Sequence, residues 1–562
     1  MKSANKTTSP GDGSGQRAVF ILGGGTMQLP AIAAARRLGC IVHVADGNSS
    51  CPGASRADRF HHIDLRDQEN LVACAKTISG LQGVFTAGTD FSTSVAAVAE
   101  AMGLPGISPQ VSEQATDKGR MRRVLADAGI PVPRFFTIGS SGECPSRGES
   151  LDFPVVVKPV DNMGARGVIR VESPSGLDQA VSRARGLSRR GTVIVEEFIQ
   201  GQEYSLDAIV VDGAVHITGI AERHIFFPPF FVELGHTIPA KMTPREEHVL
   251  SETFREAIAA LGITRGAAKG DIFLDTRGDA PRAVVGEVAA RLSGGYMSGW
   301  TYPLATGVPL SEIGLRVALG ESPGEKLFTP SISQVVAERA LISCPGQVVS
   351  LTPPDPANLP PGVEELFLCS SPGERVAPPS NNVEKVANAI ARGCDAREAE
   401  ERALTALDHI DLHLAPGDEE TEAFLFTPFG AGAFQRYRLK NLQAEEVSLQ
   451  DIPLSWYSGD GRALCRAVAA GEPLPVIPLP ENLRWERCYP VREACMVLAD
   501  CLKRGLVTFE GHRGESRNGE GLAKTGGAGR LFWSAFSAAG RQGVVYLLDC
   551  LRSGRIPREF SS

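Results

Sequence analysis

Short hydrophobic runs, each ending in a polar or glycine-bearing turn, recur through the first three-quarters of the chain. AVFILGGG (18–25) leads into a helical pattern at 29–38, a second run at 40–45 ends at Asp46, and GVFTAGT (83–89) precedes a helical stretch at 92–102. Apolar runs alternating with helical periods predict a doubly wound parallel sheet. Thr116-Asp117-Lys118 opens a helix that GIPVP (129–133) stops, since proline excludes helical continuation. The stretch LDFPVVVKPVDNMGARGVIRV (151–171) then organises the middle of the chain. Its apolar run 155–157 delivers Lys158. A turn holding Asp161, Asn162, Gly164 and Gly167 comes next, and a second run starts at Val168. Two β-runs around such a turn predict a hairpin whose loop is built to move.

Strands are predicted at 192–198, 204–211, 270–275 and 283–288, and helices at 246–261 and 310–319. The aromatic, proline-rich segment 221–242 reads as a substrate-facing loop, and 294–299 as another loop. From 331 the texture becomes short strands (335–342, 346–351, 362–369) with helices at 383–391 and 396–409, a compact α+β part ending near 414. Beyond 416 the pattern turns helical, at 461–470, 491–506 and 531–551. A proline-rich connector (473–480) and a glycine-rich loop (511–529) separate these. The expected organisation is a disordered tail 1–16, an α/β domain 17–112, a larger domain 113–330 that includes the hairpin as a lid, the α+β part 331–415, and a mostly helical extension 416–562.

A hydrophobic content of 43% in 562 residues is enough for sizeable cores. A formal net charge of −8 argues against a nucleic-acid or anionic-membrane partner. No apolar run approaches the ~18–20 residues that span a bilayer, and the polar N-terminus lacks a signal-peptide core. The 12 cysteines show neither a CxxC pair nor a Cys/His metal spacing, so they read as reduced thiols of a cytoplasmic protein.

The glycines at 23–25, with Asp46 downstream, suggest a nicotinamide site, but Gln28 stands where the third glycine of that fingerprint belongs. The plainer reading is a tight βα turn. The central region asks instead for a nucleoside triphosphate and a divalent metal. Lys118 and Lys158, on separate elements, are placed to grip phosphates from two directions, and Gly164 and Gly167 let backbone N–H groups approach them. Glu196, Glu197, Phe198 and Ile199 end a strand suited to reading an adenine edge, and Glu203 stands at a distance suited to ribose hydroxyls. Antiparallel pairing of 270–275 with 283–288 would bring Asp271 and Glu287 together as hard oxygen ligands for Mg²⁺, and Arg291 just beyond would balance charge on a transferred phosphoryl group. Singly, each also reads as an ordinary solvated charge. Their order along the chain gives them weight.

TDKGRMRRVLADAGIPVP (116–133), FPVVVKPVDNMGARGV (153–168), VEEFIQGQEYS (195–205), FFVELGHTIPA (230–240) and GEVAARLSGG (286–295) together resemble the ATP-grasp superfamily, in particular its carboxylate–amine ligases of the L-amino-acid (dipeptide) ligase type. The resemblance covers about 18–414. It implies an N-terminal α/β domain followed by an ATP-grasp fold that sandwiches ATP between two sheets. It makes Lys118 and Lys158 phosphate contacts, Glu196 and Ile199 adenine contacts, Glu203 the ribose contact, Asp271 and Glu287 the Mg²⁺ (or Mn²⁺) ligands, and Arg291 the stabiliser of acyl-phosphate formation. Two departures stand out: Ala289 replaces an asparagine found in many members, and Asp271 stands where glutamate is usual. By the same resemblance, Glu233 and His236 match a Glu-x-x-His that contacts the amino-acid substrate, although His236 equally reads as a histidine packed under a proline-rich loop. The implied activity joins small-molecule carboxylate and amine substrates through an acyl phosphate. The alternatives are a carboxylase activating bicarbonate, against which no biotin-attachment sequence is found, and a non-catalytic ATP-binding regulator. The apolar helices of the extension predict packing onto the main body or a homodimer partner.

Overall fold

The computed structural model describes residues 16–140, residues 151–426 except 279, and scattered positions between 535 and 555. Residues 1–15 of the expected tail, the helices at 461–470 and 491–506, and the segments 473–480 and 511–529 lie outside the described residues. The chain divides into two compact units. The first comprises Met1–Arg223, Gly235–Glu338 and Ala391–Glu400; the second comprises His224–Leu234, Arg339–Ile390 and Glu401–Ser562.

The first unit opens with four strands, β1 (Ala18–Leu22), β2 (Ile41–Asp46), β3 (Arg59–His62) and β4 (Leu81–Phe85), all parallel and in the order β3-β2-β1-β4. Helices α1 (Leu29–Arg37) and α2 (Gln68–Thr77) are crossovers of this layer, and α3 (Ser92–Met102) follows its last strand. β1 is wholly buried along its length, which is why it reads as an unbroken apolar run rather than an alternating one. Helix α4 (Pro109–Thr116) leads into α5 (Lys118–Asp127), whose N-cap Asp117 accepts from the Arg120 N–H.

A small antiparallel sheet comes next, with β5 (Phe135–Ile138), β6 (Val155–Pro159), β7 (Ile169–Val171) and β8 (Val193–Glu197) in the order β5-β8-β6-β7. One face, carrying Val155, Val157, Val193 and Val195, packs on Ala180, Val181 and Ala184, the last three from α6 (Leu177–Leu187). In the β6/β8 register Val156 stands opposite Glu196. Lys158, two residues on, therefore shares the Glu196 face.

The larger sheet of this unit has β9 (Gln202–Val211), β10 (Ala214–Phe226), β12 (Gly266–Asp275) and β13 (Arg282–Ala289) in the order β13-β12-β9-β10, and β11 (Val232–Ile238), which belongs to this unit from Gly235 on, pairs beside β10. Helix α7 (Pro244–Ala260) covers it through Leu250, Phe254, Ala257 and Ile258. A side chain at Gly270 would put its Cβ 2.6 Å from the Phe254 ring, so glycine there lets α7 lie directly on β12 beside Asp271. Helices α8 (Tyr302–Thr306) and α9 (Leu310–Ala318) complete the unit.

β14 (Val335–Leu341), β18 (Ala387–Gly393) and β16 (Val363–Leu368) are neighbours in that order, and in the second unit β15 (Gly346–Thr352) lies between β17 (Arg375–Val376) and β19 (Asp411–Leu414). Val348, Leu412, Leu414 and Phe424 form a core with Tyr546, Leu547 and Cys550, so the described end of the extension packs inside this unit. There the Gly417 N–H donates to the Tyr546 hydroxyl (3.0 Å). Among the described residues no helix is long and apolar enough to cross a membrane.

Three local expectations are corrected. The segment 221–242 is not a loop: β10 runs to Phe226 and β11 covers Val232–Ile238. Every residue of β11 is buried, so the strand has no polar face to announce it. The helix expected at 383–391 is the strand β18, where an alanine-rich run buried on both sides is held as a strand against its own propensity. The loop expected at 294–299 gives way to a short helical segment at Met297–Thr301.

Candidate active site

Helix α5 begins at the site. The Lys118 N–H donates to the Val160 carbonyl (2.9 Å), and the Lys118 ammonium donates to the Asn162 carbonyl (2.6 Å) and lies 3.2 Å from Glu287 Oε1. One helical turn later Arg122, fully buried, sets Nε 2.7 Å from Glu196 Oε1, and its other end donates to the Gly286 carbonyl. The second oxygen of Glu196 lies 2.6 Å from Lys158 Nζ. Burial raises the pKa of this carboxyl, but the charges of Arg122 and Lys158 outweigh that and hold it below its ordinary value. Glu196 is thus the buried acid that fixes both cations.

Opposite, β12 and β13 pair antiparallel with Asp271 facing Glu287. Lys269, two residues before Asp271 and hence on the same strand face, sets its ammonium on Asp271 Oδ2. Arg223 Nη1 lies 3.1 Å from Asp271 Oδ1 and also pairs with Glu203. Burial pushes the Glu203 pKa up, against the pull of Arg223. Desolvation acts the same way on Glu287, but Lys118, Lys269, Arg291 and Lys158 together bring it down to about 2. Four cations from four elements therefore act on one acid.

Arg291 is held by the loop after β4: its Nε donates to the Thr89 carbonyl (3.1 Å) and its Nη1 to the Leu292 carbonyl (3.1 Å). The same loop meets the segment after β13 through a bridge between Ala87 and Leu292, with the Gly88 N–H donating to the Leu292 carbonyl (3.1 Å). Beneath, wholly buried Asp207 accepts from the Ser293 N–H (3.0 Å) and hydroxyl, and burial raises its pKa to about 6. Lys118, Asn162, Glu287 and Arg291 line one cleft with Thr89, Asp90 and Ala289.

The 161–167 turn is pinned at its start, where Asp161 accepts from the Arg189 and Arg190 N–H groups (3.2 and 2.9 Å). Gly164 and Gly167 have φ of +64° and +80°, and a Cβ at Gly167 would come 2.9 Å from Pro159 Cγ. Other candidates stand apart from the cleft lining. Glu197 pairs at the surface with Arg134 (2.8 Å), and Ile199 is buried just beyond β8. His236 is wholly buried, with Nε2 2.8 Å from the Thr301 hydroxyl and Nδ1 3.4 Å from Glu338. Glu233 belongs to the second unit, where its N–H donates to the Asn382 side chain (2.8 Å). At the glycines of 23–25, Asp46 accepts from the Gly24 and Asn48 N–H groups (both 2.8 Å), and Gly53 lies against Gly24. That acid is occupied in shaping its own turn.

Sequence reasoning missed Arg122, Lys269 and Asp207, and left Arg223 without an assigned role. Lys269 was accessible from the strand period, and Arg122 from its helical spacing to Lys118. Arg223 follows from the β9/β10 pairing, since Glu222 stands opposite Tyr204.

The family model of the ATP-grasp domain matches residues 151–298. This stretch is an ATP-grasp domain. A second model, L-amino acid ligase C-terminal domain 2, matches residues 339–415. An uncharacterized protein, y4rH, of Sinorhizobium fredii is 26% identical over 353 residues, 62% of this chain and 71% of the relative. A D-alanine–D-alanine ligase of Halorhodospira halophila is 32% identical over 166 residues, and the match spans 29% of this chain and 53% of that enzyme's length. Among solved structures, the L-amino acid ligase from Bacillus licheniformis shares the fold with a TM-score of 0.61 at 22% identity, over 71% of this chain and 99% of that one.

Proposed function

We propose that this ATP-grasp chain is an ATP-dependent carboxylate–amine ligase that acts on amino-acid-like substrates. The observation that carries the reading is the convergence of Lys118, Glu287 and Arg291 on one cleft, with Asp271 in register opposite Glu287. The match of 339–415 to the L-amino acid ligase C-terminal domain supports the substrate class. Glu287 is kept ionised and is a hard oxygen donor, so the residues present fit Mg²⁺, which when bound would neutralise charge on the nucleotide phosphates.

In the proposed reaction Lys118 and Lys158 orient the triphosphate, and the 161–167 turn covers it. A substrate carboxylate oxygen attacks the γ-phosphorus, the bond to the β,γ-bridging oxygen breaks, and ADP departs. Arg291, already fixed on two backbone carbonyls, faces the charge that develops on the transferred phosphoryl group without reorganising. The amine nitrogen then attacks the acyl carbon, phosphate leaves with the C–O electron pair, and the nitrogen gives up a proton to form the amide. Exclusion of water is the protein's remaining task, since water would hydrolyse the acyl phosphate.

The test is ADP release measured across paired amino acids and other carboxylates with MgATP. A strictly pair-dependent release, lowered by about 10²–10³-fold in Lys158→Ala, is expected. Release that needs only bicarbonate, or that proceeds equally with neither substrate, would replace this reading.

A further inference from the structure

We infer that this site works with a single divalent ion, carried by Glu287, and that the Lys269 ammonium takes the place against Asp271 that a second ion would need. The inference rests on the proposed ligase activity and concerns how its charge is arranged.

Both carboxylate oxygens of Asp271 are engaged by cations from its own protein, Oδ2 by Lys269 and Oδ1 by Arg223 at 3.1 Å. These groups are not solvent-mobile surface charges. The side chains of Lys269, Arg223 and Asp271 are 12%, 9% and 10% exposed. Arg223 is further tied to Glu203, so it is not free to swing away. A divalent ion on Asp271 would have to enter between two cations that sit on its only two donor atoms, against repulsion that water screens little at this depth.

Glu287 is arranged differently. Four cations act on it, but among the described residues only Lys118 is in ion-pair contact, at 3.2 Å on Oε1. Lys269, Arg291 and Lys158 act from beyond that distance, and its side chain opens on the cleft at 29% exposure. Ala289 lies two residues along β13, on the same strand face and in the same cleft lining, and it brings no oxygen. The carboxylate on β13 thus lines the cleft, whereas the one on β12 carries a cation on each of its oxygens. A magnesium ion commonly binds through one or two carboxylates plus substrate phosphates, so Glu287 with the nucleotide suffices. Lys269 supplies the other positive charge as a tethered group.

The experiment is a Mn²⁺ titration of the full chain, monitored by electron paramagnetic resonance, with a non-hydrolysable ATP analogue held in excess. One Mn²⁺ per chain is expected for the wild type. Glu287→Gln should weaken it by more than about 100-fold, because even the outer hydrogen-bond partners of a metal ligand are worth roughly 10–100-fold. Lys269→Met, which keeps the apolar stem, should admit a second Mn²⁺ by freeing Asp271 Oδ2. Two ions on the wild type would overturn the inference, whatever the variants do, and so would Lys269→Met remaining at one. A wild-type chain that does not bind the analogue at all would instead overturn the ligase reading beneath it. Analogue binding and metal count are read in the same titration, so the two failures are told apart.

Discussion

Replacing Glu196 by alanine tests how Lys158, the lysine proposed to orient the triphosphate, is held. The acid is 1% exposed and stands between Arg122, which is 0% exposed, and Lys158 at 15%. Without it Arg122 keeps its bond to the Gly286 carbonyl but loses its only counter-charge among the described residues. Removing one partner of a buried pair costs about 3–5 kcal/mol. Lys158 can reach solvent, so Arg122 bears most of that. At roughly 2–4 °C per kcal/mol for a domain of this size, the transition of the first unit should fall by on the order of 10 °C in a calorimetric scan at pH 7. The double variant Arg122→Met with Glu196→Leu should recover most of the loss, since apolar replacements of similar volume carry no desolvation cost. Because the folded-state pKa of Glu196 is depressed, its contribution is present above about pH 4.5 and is lost as pH falls through the folded value. The gap between the wild type and Glu196→Gln should therefore close on acidification. A drop under about 2 °C for Glu196→Ala, or a double variant worse than the single one, would mean that the buried acid is not what holds the two cations.

Lys158→Ala should leave the melting temperature within a few degrees while lowering ADP formation by about 10²–10³-fold, the loss typical of one preorganised charge-stabilising donor; turnover near wild type would remove Lys158 from the mechanism. Asp207, raised to about 6, is protonated in the folded chain over a range where it is ionised when unfolded, so its contribution falls as pH rises from about 4 to 6, by about 3 kcal/mol. Asp207→Asn should accordingly gain stability relative to wild type across that window, and parallel melting curves from pH 4 to 7 would contradict the assignment. Gly167→Ala, at φ +80° and against Pro159, should cost about 1–2 kcal/mol locally and show as a higher KM for ATP, with kcat changed less.

The parts of the site legible in the sequence are those where a charged residue ends an apolar run. Lys158 and Glu287 interrupt strands that are otherwise valine-rich, so they stand out against their neighbours. Lys118 was visible because Asp117 before it caps a helix. Arg122 was not, since an arginine inside an arginine-rich helix looks like a solvated face and only the tertiary fold buries it. The pairing of Lys269 with Asp271 lay in plain view at strand spacing, but lysine near aspartate is so common at surfaces that spacing alone did not mark it. The strands β11 and β18 were hidden for the opposite reason: buried on both faces, they lack the alternation that identifies a strand. His236 and Glu233 show how a motif can be plain in the sequence while its placement is not, one sealed between Thr301 and Glu338, the other in the second unit.

The catalytic arginine of the proposal rests on peptide oxygens, those of Thr89 and Leu292, and the two segments that supply them are laced by main-chain bonds at 87–88. Main-chain atoms do not change when side chains are substituted. The composition of that junction is thus free to drift while its geometry persists, and what a graft of the first hundred residues into another ligase would have to preserve is the path of the backbone there, whatever letters spell it.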